Sequence, residues 1–149
     1  MKIGFRIVLP ALILFAACNK DKFTTDPQVT VKSISPGEVN QGNIIDLEAK
    51  FTDKEGDLDS ALIVYKWYEG DSATVIDTLR YSVESLNLPK KTPKGDISVQ
   101  FEYGSNNTGY LPFPSVSKDT TSTFGLLLID RASHRSNYSE SSKIRLKKT

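Results

Sequence analysis

The chain has 149 residues, 19 Lys and Arg against 18 Asp and Glu, 38% apolar and 25% charged residues, and a single cysteine. That length holds one domain with some additional chain, the composition lies outside the range of disordered proteins, and one cysteine excludes an internal disulfide. Setting Lys2 and Arg6 aside leaves 17 basic residues against 18 acidic ones, so charge makes no case for nucleic-acid binding.

Lys2 and Arg6 precede an apolar run, Ile7 to Ala17, of about 11 residues that ends at Cys18. A bilayer core needs roughly 20 helical residues, so this is the layout of a cleaved signal peptide, not of a membrane span. Phe15-Ala16-Ala17-Cys18 resembles a bacterial lipobox, which implies that Cys18 is lipidated and becomes the new amino terminus. An ordinary secretory signal that leaves Cys18 as a free thiol is the alternative. Asn19-Lys20-Asp21 resembles the short charged signal that follows the cysteine in surface-exported lipoproteins of Bacteroidota. The expected organisation is a signal peptide over 1–17, a flexible tether over 18–27 and a folded domain over 28–149, held at the outer membrane and facing either the periplasm or the cell surface.

In the folded part Val29 and Val31 alternate with polar neighbours, and Ser35-Pro36-Gly37 stops that strand. Ile45, Leu47, Ala49 and Phe51 alternate with Asp46, Glu48 and Lys50, which places apolar side chains on one face and charges on the other. An acidic turn follows, and then Leu62 to Tyr68 is apolar on both faces, as in a central strand with Trp67 turned inward. Gly70-Asp71 offers a hairpin turn, and Val75, Leu79, Tyr81 and Val83 suggest one or two less regular strands. Beyond a basic loop with Lys90, Lys91 and Lys94, Ile97, Val99, Phe101 and Tyr103 alternate with Asp96, Ser98, Gln100 and Glu102, which are expected to face solvent. Gly104 to Lys118 reads as a long loop, Phe124 to Ile129 as an interior strand, and Ile144 and Leu146 as a last strand with a basic edge. Seven or eight short strands without a capped helical period predict an all-β protein, an antiparallel two-sheet sandwich of the immunoglobulin kind, with a small barrel as the structural alternative.

Phe51-Thr52-Asp53-Lys54-Glu55-Gly56-Asp57-Leu58, followed by Tyr65 and Trp67, resembles the turn-plus-strand signature of bacterial PKD-like and cadherin-like domains. Asp130, Ala132, Ser136 and Asn137 resemble the late loop of that superfamily, with His134 and Arg135 where Gly-Asn is usual. The resemblance implies an immunoglobulin-like sandwich on a small Bacteroidota lipoprotein. It also implies a Ca²⁺ site shared between the turn and the late loop, to which Asp130 would contribute.

Asp53, Glu55, Asp57 and Asp59 fall at every second position, and their carboxylates are the oxygen ligands that Ca²⁺ takes in sets of about six to eight. The spacing is not that of an EF-hand. The competing reading is a solvated turn in which Gly56 supplies a positive φ and the acids keep one sheet end soluble. His134 is the only histidine, and a hydrolase would need it to reach a serine and an orienting acid such as Asp130, although sequence neighbours seldom form a triad. One histidine and a lipidated Cys18 cannot supply four zinc ligands. Tyr110, Leu111 and Phe113 either form an apolar contact surface for a protein or glycan or fold back over an open end of the sandwich. Four triplets beginning at Asp59, Asp71, Asp77 and Asp119 resemble the O-glycosylation acceptor of Bacteroidota. The expected function is that of a non-catalytic envelope lipoprotein, a binding or structural module with Ca²⁺ as its stabilising ion. The alternatives are an accessory subunit of an outer-membrane assembly and a glycan-binding surface protein. The expected partners are the membrane, through the lipid, and an envelope protein or glycan; nucleic acid is not among them.

Overall fold

Period-two alternation gives long strands such as Ile44–Thr52 and Lys94–Tyr103 an apolar face, and in the computed structural model the apolar faces close on one another as two stacked sheets. The structure describes residues 25–88, 91–105 and 109–148, so the expected signal peptide, Cys18 and most of the expected tether lie outside the described residues. One sheet has the order β1 (Gln28–Ser35), β3 (Ile44–Thr52), β6 (Lys94–Tyr103), β7 (Leu111–Phe113). The other runs β2 (Glu38–Val39), β10 (Ile144–Leu146), β8 (Thr120–Asp130), β4 (Leu58–Glu69), β5 (Ser72–Ser82), and β9 (Ser139–Glu140) also pairs with β8. No helix occurs among the described residues. The protein is an all-β sandwich.

Register brings the apolar faces together. In β3 and β6, Ile45 lies opposite Phe101, Leu47 opposite Val99 and Ala49 opposite Ile97. In β4 and β8, Ile63 lies opposite Leu126 and Tyr65 opposite Phe124. All ten are buried, and at ~1.5–3 kcal/mol for each large side chain removed from water they are the main cohesive force. An aromatic knot sits between the sheets. Tyr65 meets Phe113 edge-on with ring centroids 4.8 Å apart, and Phe124 lies 4.9 Å from Phe113 and 5.2 Å from Phe101. Trp67 packs against this core from a partly buried position on β4, its indole Nε1 buried without a hydrogen-bond partner.

The structure corrects the expected layout in four respects. There are ten described strands, because β2, β7 and β9, two or three residues long and without readable alternation, add to the expected ones, whereas β10 is the expected last strand. Pairing is mixed, with β2 parallel to β10 and β7 parallel to β6. The expected loop Gly104 to Lys118 contains β7, and Phe113 is 1% exposed within the aromatic knot, so it cannot belong to an exposed binding loop. Glu102, expected to face solvent, is buried on the outer side of β6, where the Ser105 hydroxyl donates to it.

Sandwich edges need protection against pairing with other chains. At β1 the protection is made by side chains, not by a strand. The Val29 amide donates to Asn137 Oδ1 at 3.0 Å, Asn137 Nδ2 donates to the Val29 carbonyl at 2.8 Å, and the Val31 amide donates to Ser139 Oγ at 2.9 Å. Gly125 leaves room for Tyr138, since a Cβ there would stand 2.0 Å from the phenol oxygen. Lys66 ties the same segment down through an ion pair to Glu140 at 2.9 Å.

Candidate functional site

Two regions gather polar side chains. The first is the end of the sandwich where the β3–β4 turn meets the segment after β8. Leu58 pairs with Asp130, and the Arg131 amide donates to the Asp57 carbonyl at 3.2 Å, so the acidic turn and the late loop do converge. Asp53 is 1% exposed. Its Oδ2 accepts from the Asp57 amide at 2.8 Å, its own amide donates to the Pro93 carbonyl at 2.7 Å, and its carbonyl accepts from Gly56 at 3.2 Å. Gly56 has φ 65° and packs so closely on Thr92 that a Cβ would lie 3.0 Å from its backbone. That position requires glycine for both reasons.

Burial, above all, holds the Asp53 carboxyl above its ordinary range; the backbone amide of Asp57 opposes this, and the nearby charges of Asp57 and Asp130 reinforce it. Asp53 Oδ1 and Asp57 Oδ1 are both buried without a hydrogen-bond partner. Asp130 is also buried, but its carboxylate is fully used. The His134 amide donates to Oδ1 and the His134 ring nitrogen Nδ1 contacts Oδ2, both at 2.8 Å. The hydrogen bond to Asp130, then its charge, raises the His134 pKa above the usual 6.5, and Asp26 and Glu55 add to the effect. This pair closes a five-residue loop in which Ser133 adopts φ 70° and its amide donates to the Asp130 carbonyl at 3.1 Å.

Of the five residues expected to share a cation, three come together: Asp53, Asp57 and Asp130. Glu55 is exposed at the tip of the turn. Asp59 is corrected, because it lies beyond the start of β4 and pairs with Arg80 of β5 at 3.1 Å. Every-second-residue spacing cannot keep four carboxylates together once the last one enters a strand. No group of three or more His, Cys, Asp or Glu side chains suited to hold a metal ion is found among the described residues, and His134 occupies both oxygens of Asp130.

The second region is a groove of about 270 Å³ beside β6, which sequence reasoning did not find apart from Tyr110 and Leu111. Its floor is Val99 and Leu111, and its walls include Ser85, Asn87, Gln100 and Tyr110. The turn after β5 forms one wall, held by backbone bonds from Leu86 to Ser82, Asn87 to Glu84 and Leu88 to Val83 at 3.3, 3.1 and 2.9 Å. Leu86 and Leu88 are buried and anchor it, while Asn87 adopts φ 53° between them. Tyr110 is 41% exposed at the opposite lip. Among the glycosylation-like triplets, Ser60 and Thr120 are buried, whereas Ser72 and Thr78 are exposed.

No family model matches the chain, and no curated protein is similar to it. Solved structures share a similar arrangement at low identity. The sporulation control protein Spo0M of Bacillus subtilis is 10% identical with a TM-score of 0.44, over 83% of this chain and 50% of that one. The superoxide reductase (neelaredoxin) of Ignicoccus hospitalis is 8% identical at 0.35, over 82% and 80%. The CARDB domain of the PF1109 protein from Pyrococcus furiosus, in complex with di-metal ions, is 11% identical at 0.37, over 85% and 98%. The chain thus spans half the length of the sporulation protein.

Proposed function

We propose that this protein is a non-catalytic binding module of the cell envelope, an immunoglobulin-like domain carried on a lipidated Cys18 at the outer membrane. The observation that carries the binding role is the groove beside β6, because it is walled by a turn fixed from beneath and its lining includes Asn87, Gln100 and Tyr110, whose polar side-chain atoms the fold does not use. The non-catalytic reading is supported by His134. The one imidazole in the chain uses Nδ1 to close a turn on a buried carboxylate, and its Nε2 makes no hydrogen bond to a serine or other nucleophile among the described residues. The lipid anchor rests on the lipobox-like residues before Cys18.

Recovery of the full-length lipidated protein from membranes, followed by capture of what binds it, tests the module reading. An envelope protein or saccharide retained by the protein is expected, and its loss on blocking the groove sharpens the assignment. The anchor is tested apart from this: Cys18→Ala protein that still takes up fatty acid and partitions with membranes sinks it.

A second reading is that Ca²⁺ stabilises the acidic end. It is favoured by the orphaned oxygens of Asp53 and Asp57, which fit a hard cation, whereas Asp130 fits only once His134 releases it. Bound Ca²⁺ would replace the missing hydrogen bonds and cancel the repulsion among the three acids. A melting temperature that is the same in EDTA and in millimolar Ca²⁺ rules this out.

A further inference from the structure

We infer that the groove beside β6 takes a short neutral saccharide, with Asn87, Gln100 and Tyr110 as its contacts; this rests on the reading of the domain as a binding module and names the ligand. Three features of the groove point to that ligand class.

The first is charge. Among the described residues no Asp, Glu, Lys, Arg or His lines the groove, so no described group there selects a charged ligand. The second is unused hydrogen-bonding capacity. The side chains of Asn87 and Gln100 make no hydrogen bond within the described residues, and neither does the Tyr110 hydroxyl. Two free amides offer donors and acceptors together, which is what the hydroxyl groups of a sugar require. The third is that the exposed Tyr110 and the half-buried Leu111 both line the groove, an apolar surface of the kind that the C–H face of a pyranose can cover. Size agrees with these, because about 270 Å³ lies just below the ~300–1,000 Å³ of pockets for drug-sized ligands.

An extended peptide is the competing occupant. Over Lys94 to Gln100, β6 has a strand on its β3 side only, since β7 pairs with it from Phe101 onward. Tyr103 exchanges hydrogen bonds with Asn43 and Gly42, so by alternation Ser98 turns its amide and carbonyl toward the groove. Strand addition there is opposed by the segment Ser85 to Asn87, which lines the same groove as Ser98 to Gln100 and occupies part of the space beside that edge.

The test is isothermal titration of the full-length protein in detergent with neutral hexaoses of glucose, xylose, mannose and galactose, with heparin, and with a valine- and threonine-rich nonapeptide. Binding of at least one neutral hexaose, insensitive to added salt, is expected. Tyr110→Ala and Gln100→Ala are each expected to weaken it about tenfold or more. Asn87→Gly, which keeps the left-handed backbone, is expected to do the same with an unchanged melting temperature. Binding of the nonapeptide alone, of heparin alone, or of a hexaose that all three variants retain overturns the proposal. If no hexaose binds while an envelope partner is still captured, the saccharide assignment falls and the module reading stands; if neither is found, both fall.

Discussion

The acidic end and the β6 groove both gather polar side chains, carboxylates in one and neutral amides and hydroxyls in the other, and use them in opposite ways. At the acidic end Asp53 and Asp130 are buried and fasten the loops that bear them. In the groove Asn87 and Tyr110 are exposed and fasten nothing. A buried polar group left without a partner costs about 1–3 kcal/mol, so burial forces such groups into structural service, while exposure leaves them free for a ligand. The difference separates residues that are three apart in sequence: Phe113 lies in the core and Tyr110 on the lip.

Five substitutions and a pH series probe that contrast. Phe113→Ala should have the largest effect, a loss of ~3–5 kcal/mol in urea unfolding, because it empties the centre of the aromatic knot. A loss below about 1 kcal/mol would place Phe113 outside the core. Asp130→Ala should follow, with ~1–3 kcal/mol lost as the His134 amide and ring lose their acceptor. If its unfolding midpoint matches that of the unaltered protein, the late loop does not depend on the carboxylate.

The pH dependence has a definite sign. His134 has a raised folded-state pKa, so its contribution is complete below pH 6.5 and is lost as pH rises through the higher folded value. Asp53 acts with the same sign at lower pH, complete below 3.8 and lost as pH rises through its raised value. Thermal melts across this range should show a fall on the alkaline side of pH 6.5 that His134→Gln removes; an identical slope in the variant breaks the link to Asp130. The smallest effect belongs to the groove. Tyr110→Ala and Gln100→Ala should alter stability by no more than ~0.5 kcal/mol, as surface and half-buried side chains without hydrogen-bond partners do. A larger loss in chemical denaturation would move them from the ligand-facing class to the structural one.

Much of the sandwich was legible in the chain. Ile45 to Phe51 and Ile97 to Tyr103 read as strands because one face of each is apolar and the other polar. The meeting of the acidic turn with Asp130 was also anticipated, through the resemblance of both loops to PKD-like and cadherin-like domains. Of the short strands, Ile144–Leu146 was legible through its alternation with basic neighbours, whereas β2, β7 and β9 were not, since two or three residues without such flanks are too few to show a period. Asp59 was misplaced because its spacing from Asp57 says nothing about where β4 begins or that Arg80 waits on the next strand. His134 was considered for catalysis, and its structural partner is the very acid proposed to orient it.

The sequence by itself determined the all-β class, the order of the long strands and the inward faces of the core, because alternation is a local property that each strand carries alone. Tertiary structure alone decided which polar residues are spent on the fold. Burial of Asp53 and Asp130, exposure of Tyr110, and the approach of the β5–β6 turn to the open edge of β6 all depend on contacts between segments far apart in the chain. Such contacts set solvent access, and solvent access decides whether a hydrogen-bonding group must find its partner within the protein or stays available to a ligand.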